Sequence, residues 1–217
     1  MNKDKETVTK RTYTVPVLLV LLTGSLIGIV LLFSLNLQHN QETNRQQGED
    51  IIKAGQAAKA HVNEVAFSLD KLAASSGEAD RLSLLYNLGY SFRGSDALLA
   101  FIEASEEHAA PGGQTQTSDQ PRKLLEAISD TLDGIGAHPG QLNDIEAQYV
   151  KQVLVLYQQL EQTLSGFTLE TGDKMVEMTA QTGGSWVQLG QQLEKTLEQA
   201  EVGTNGAIPD QLLNQSQ

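Results

Sequence analysis

The sequence predicts an all-α protein: a single N-terminal transmembrane helix followed by an extracytoplasmic, antiparallel helical bundle of four or five helices. Three observations carry this. Residues Thr12 to Gln41 contain no Asp, Glu, Lys or Arg, and Val15 to Leu35 forms a strongly apolar run of 21 residues. Beyond Ile51, apolar residues recur at spacings of three and four, the period of a helix with one buried face. Alternating Val, Ile and Thr, the mark of strands, is missing, whereas Gln, Leu, Ala and Glu are abundant.

At about 1.5 Å of rise per residue, the apolar run spans a hydrocarbon core of about 30 Å. In lipid, only a helix satisfies every backbone group within one isolated segment. The run exceeds the apolar region of a secretory leader, and no Ala-x-Ala follows it, so it reads as an uncleaved signal anchor over residues 14–37. Lys3, Lys5, Lys10 and Arg11 precede the span, against Asp4 and Glu6. Basic residues favour the cytoplasmic side, so residues 1–13 are expected inside as a short tail and everything after the span outside. A tail of that length is too short for a folded signalling domain.

Within the span, Pro16 falls in the first turn, where a missing N–H is tolerated. Gly24 and Gly28 form a Gly-x-x-x-Gly with Ser25 beside the first. Small residues four apart allow two helices to approach closely in lipid, so this face is the candidate for transmembrane packing and for a homodimer.

The chain carries 15 Lys and Arg against 27 Asp and Glu. Setting aside the four basic and two acidic residues of the tail leaves 11 against 25, a balance of −14 on the expected outer part. Such a surface is repelled by nucleic acid and by anionic head groups. There is no cysteine, which excludes a disulfide framework, a lipoprotein anchor and thiol-based metal chemistry. A cysteine-free exported domain of this kind suits a bacterium, of the Gram-positive type.

Residues 38–50 are polar and read as a stalk that can continue the membrane helix outward. Residues 51–202 make the bundle. Ile51, Gly55, Ala58, Val62, Val65, Leu69 and Leu72 form a heptad-like stripe and predict a helix to about Ala74. Ser75 and Glu78 have the spacing of a capping box for a second helix, with Leu82, Leu85, Leu88 and Phe92 as its face. Gly94 interrupts it and Ser95 can restart it through Leu98, Leu99, Phe101 and Ile102, as one kinked helix or two. Residues 108–121 read as a loop, either a disordered connection or a binding loop. Ser118 or Asp119 can cap the next helix, with Pro121 in its first turn and Leu124, Leu125, Ile128, Leu132 and Ile135 as its stripe. Leu142, Ile145, Tyr149, Val153, Leu156, Leu160 and Leu164 give the clearest soluble helix. Met175, Val176 and Met178 fit a short helix before Thr182-Gly-Gly. Ser185 and Gln188 suggest a second capping box, opening a last helix with Trp186, Leu189, Leu193 and Leu197. Residues 203–217 show no pattern and read as a disordered tail.

Chemistry is sparse. His39, His61, His108 and His138 show no metal-ligand spacing, and no His-Glu-x-x-His is present. Glu64 and Glu146 could be read as inward carboxylates of a bundle metal site, but each reads more simply as a solvated face residue. The acidic clusters Glu103, Glu106, Glu107 and Asp130, Asp133 read as solvated charge. No nucleophile elbow or phosphate loop occurs. Trp186, the single Trp, reads as core or end plug rather than as an anchor for a partner. The expectation is therefore a membrane-anchored, non-enzymatic interaction or scaffold protein, without cofactor or metal, whose acidic bundle binds or positions an envelope partner. The competing class is an extracytoplasmic sensory bundle acting through another membrane protein.

Overall fold

The structure, a computed structural model, describes residues 14–75, 77–110, 118–136, 138, 141–200 and 202. The described residues are helical, with no strand among them. The helices are α1 (Thr14–Ala74), α2 (Glu78–Phe92), α3 (Ser95–Ala109), α4 (Gln120–Gly134), α5 (Asp144–Ser165), α6 (Lys174–Gln181) and α7 (Ser185–Glu198). The expected tail 1–13, the C-terminal segment 203–217 and most of the expected loop, 111–117, lie outside the described residues. The chain divides into two compact units, Met1–Asn44 and Arg45–Gln217.

In the first unit, α1 is long and apolar enough to cross a membrane. Its most apolar stretch has a mean hydropathy of 2.7, and none of it is buried. Leu18, Leu22, Leu32 and Phe33 all stand exposed. Thr23 is the kind of polar residue such a segment tolerates, because its hydroxyl donates to Leu19 O at 2.9 Å and Val20 O at 3.0 Å. That bond leaves no unsatisfied donor on the apolar face.

The second unit starts at Arg45, earlier than the expected boundary at Ile51. The reason lies in residues read as stalk. Arg45 reaches Glu177 at the centre of α6 at 2.9 Å, and Gly48 is buried against the Glu177 backbone. From there the predicted α1 stripe is buried throughout, with Ala58, Val62, Val65, Leu69 and Leu72 fully shielded. Each fully buried Val or Leu side chain contributes about 1.5–3 kcal/mol. Phe167, just past the end of α5, packs its ring over Gly55 and edge-on to Phe101 at 5.3 Å. Lys59 and Gln56 donate to the carbonyls of Phe167 and Leu169 at 3.0 and 3.2 Å. These bonds fasten α1 to the chain leading into α6.

The sequence-predicted faces of α3, α4, α5 and α7 join the same core, with Leu98, Phe101, Ile128, Leu132, Tyr149, Val153, Leu160, Trp186 and Leu193 buried in it. Residues 78–109 form two helices, not one kinked helix, and α3 extends through His108 and Ala109, which were expected in the loop. Neither predicted Ser capping box forms. Ser75 instead donates to Leu72 O at 2.8 Å, closing α1, and α2 starts after Gly77. The N-cap of α7 is Gly184, whose φ of 133° is open to glycine and strained for any other residue. The short helix α6 forms as its Met and Val spacing predicts, capped by Asp173, which accepts from Met175 N at 2.8 Å.

A methyl group at Gly48 would meet backbone atoms of Glu177, which cannot rotate aside. Gly48→Ala is therefore expected to lower stability by about 1–3 kcal/mol, the usual cost of overpacking. Thermal unfolding followed by circular dichroism checks this. An unchanged melting temperature would mean that α1 does not sit against α6.

Candidate functional site

The predicted packing residues Gly24, Ser25 and Gly28 all lie on the exposed surface of α1 within the first unit, Gly28 somewhat less open than the others. Beyond each glycine nothing lies within 4 Å of where a Cβ would be. Among the described residues nothing packs against either glycine, which leaves this face open to another helix.

The second unit exposes a further surface. On α2 the predicted face was Leu82, Leu85, Leu88 and Phe92. Leu88 and Phe92 are buried, but Leu82 points outward at 55% exposure, and the buried side chain of that turn is Arg81. Leu82 is followed at four-residue steps by Tyr86 and Tyr90, at 79% and 66% exposure. The three form a continuous stripe along one side of the helix. Arg93 lies over the Tyr90 ring at 5.9 Å. A groove of about 550 Å³ runs beside the stripe, between α2 and α4, with Tyr86, Gly89, Tyr90 and Arg93 on one wall and Ser129 and Asp133 on the other. It is open to solvent. A second open groove, of about 610 Å³, lies between α5 and the end of α7 and is lined mainly by Gln148, Lys151, Gln152, Gln159 and Gln199.

Behind the α2 stripe is a buried polar knot. Arg81 extends from α2 and donates to the carbonyls of Gly136 and His138 at 3.3 and 2.7 Å. Glu146, in the first turn of α5, accepts from Gly136 N at 2.8 Å, from Asn143 N at 2.8 Å and from His138 Nε2 at 2.8 Å. Asn143 in turn accepts from Glu146 N at 2.9 Å, which completes a capping box. Glu146 is therefore not the solvated face residue expected; it is 3% exposed and ties the α4–α5 turn to α5. Burial alone would raise its pKa, but the bonds from Gly136, Asn143 and His138 outweigh burial and hold the carboxyl below its ordinary value. Glu64 is the exposed face residue expected, and it accepts from Ser91 Oγ at 2.9 Å. No group of acidic or histidine side chains able to hold a metal occurs among the described residues.

A second polar group sits in the core. His61 donates from Nδ1 to Ser91 O at 3.0 Å and meets the rings of Phe92 and Tyr157 edge-on at 6.3 and 6.0 Å. Burial lowers its pKa, outweighing the bond to Ser91 and the Glu64 carboxylate, so the ring stays neutral near pH 7. Trp186 is 1% exposed and donates to Ala180 O at 3.0 Å, with Phe101 and His108 against its ring. It is a core residue. The predicted charge clusters hold one exception to solvation: Glu106 meets Glu194 of α7.

No protein-family model matches this chain, and no similar curated protein or solved structure is found.

The knot makes stability depend on pH. The carboxyl of Glu146 has a folded pKa below its unfolded value near 4.5. Its contribution is present above that value and lost as pH falls through the folded pKa. Glu146→Gln is expected to cost about 1–3 kcal/mol at neutral pH, because an amide N–H would face the Gly136 and Asn143 donors. Its melting temperature should approach that of the unsubstituted protein in acid. A deficit of the same size at every pH would refute the ionic role.

Proposed function

We propose that this protein is a membrane-anchored, non-enzymatic interaction protein whose exported acidic helical bundle binds or positions a protein partner in the envelope. The span over residues 14–37 holds the chain in the bilayer as a signal anchor, N-terminus inside, in a bacterium of the Gram-positive type. The observation that carries the reading is the α2 stripe. Leu82, Tyr86 and Tyr90 are exposed in register along one helix, whereas the other large apolar side chains exposed in the second unit, Phe67, Val155 and Met175, lie one to a helix. Large apolar side chains exposed together mark interaction sites, and tyrosine is favoured in them because it offers contact area at low entropic cost. The absence of a metal-ligand or nucleophile motif in the sequence supports a non-catalytic role. The acidic balance of the exported part favours a partner with a basic contact surface. Gly24, Ser25 and Gly28 offer a second, lipid-embedded contact, suited to a homodimer.

A sensory module is the second reading, favoured by one observation: α3 and α7 bring the carboxyls of Glu106 and Glu194 together, and this contact, with burial, pushes the Glu194 carboxyl up to about 7.

Crosslinking in native membranes followed by mass spectrometry tests the first reading. The unsubstituted protein should yield a defined partner. A Tyr86→Ala, Tyr90→Ala variant should lose it by tenfold or more, on the basis of about 2 kcal/mol per interface tyrosine. The same variant should melt within about 0.5 kcal/mol of the parent, since both side chains face solvent. Undiminished capture would remove the stripe from consideration. A reporter fused after Gln217 should be active outside the cell, and activity in the cytoplasm would overturn the topology.

A further inference from the structure

The sequence reads Glu106 as part of a solvated charge run, but its environment differs. Helices α3 and α7 approach each other closely: Gly190 of α7 lies so near Ser105 of α3 that no larger residue fits without displacing the serine side chain. One residue beyond Ser105, the Glu106 carboxyl meets the carboxyl of Glu194 from α7. Its Oε2 atom is buried and has no hydrogen-bond partner among the described residues. Two carboxylates placed together in this way cannot both ionise cheaply, and a proton held between them gives the buried oxygen the donor it lacks.

We propose that Glu106 and Glu194 share a proton across the seam between α3 and α7, forming a clasp that tightens in mildly acidic surroundings and loosens as the pair becomes doubly ionised. The described charged groups around the seam are engaged with other partners or lie on Glu194's own helix. Glu198, one turn further along α7, adds a third negative charge acting on Glu194. On α3, His108 is engaged with the carbonyls of Ala104 and Gln181 at 3.2 and 2.7 Å, and Glu103 is paired with Arg122 of α4 at 3.3 Å. From α4, Lys123 shares a groove with Glu198 and lies 4.0 Å from Asp119. From α5, Lys151 lines the groove beside Gln199. Among the described residues, the charged groups acting on Glu194 are Glu106 and Glu198, both acidic.

The direction of the pH effect follows. Contact with Glu106, then burial, pushes the Glu194 carboxyl up from 4.5 to about 7. A carboxyl with a raised folded pKa contributes stability that is fully present below its unfolded value and is lost as pH rises through the folded one. The clasp therefore weakens between about pH 4.5 and 7, opposite in sign to the effects of Glu146 and His61. The only tryptophan, Trp186, lies on α7 and reports on this seam.

The test uses the full chain in lipid nanodiscs. Thermal unfolding, followed by Trp186 fluorescence, is measured from about pH 4.5 to 8 for the parent and for E194Q, E106Q and the double variant. Either single variant should melt above the parent at the alkaline end and converge with it in acid. The double variant should gain little more than one single, because the first substitution already removes the repulsion. A pH-independent offset of either sign would overturn the proposal. Carboxyl-carbon NMR of the unsubstituted protein provides a check that needs no variant. The Glu194 resonance should titrate with a midpoint near 7. An ordinary carboxylate midpoint would overturn the clasp even if both variants failed to fold.

Discussion

The second unit depends on the burial of one face of α1. The stripe from Ile51 to Leu72 is shielded from solvent along its length and meets residues from α2, α3, α5 and α7 in one core. Its small residues determine what can lie against it. Gly48 admits the backbone of α6, and Gly55 admits the Phe167 ring, which in turn stacks edge-on with Phe101. A side chain at either position would hold those elements away and separate the aromatic contacts beyond them. In the first unit, the apolar stretch of α1 is the candidate anchor.

Polar groups set the geometry that apolar burial leaves open. Apolar packing is non-directional, whereas Arg81, Glu146, Glu177 and His61 reach named atoms at fixed distances. Arg81 and Glu146 fix the turn between α4 and α5, and Arg45 with Glu177 fixes α6 against α1. Because Arg81 turns inward, Leu82 turns outward. The exposed stripe through Tyr86 and Tyr90 is thus a consequence of where α2 spends its buried positions. Functional reading and fold meet at that helix: its inner side serves the core and its outer side is open to a partner.

Much of the fold was legible from spacing alone. The helices from Ser95 to Glu198 follow the three-and-four periodicity of their apolar residues, and α1 ends at Ala74 as its stripe predicts. Caps were less legible, because the Ser-x-x-Glu pattern states only that a bond can form. Ser75 found a nearer acceptor at Leu72 O, while the real box, Asn143 with Glu146, has the same spacing. Glu146 was mistaken for a surface residue because a carboxylate carries no sign of the donors that will surround it. Leu82 was mistaken for a core residue because Arg81 is a rare buried cation and periodicity assumes apolar residues face inward.

The sequence by itself determined the helical class, the apolar segment and its three small residues, and most of the core, because each follows from local period and composition. Tertiary structure alone decided that Glu146 and Arg81 lie inside, that Tyr86 and Tyr90 form a surface with Leu82, and that Glu106 meets Glu194. These depend on which distant side chains share a neighbourhood, and neither periodicity nor charge count contains that information.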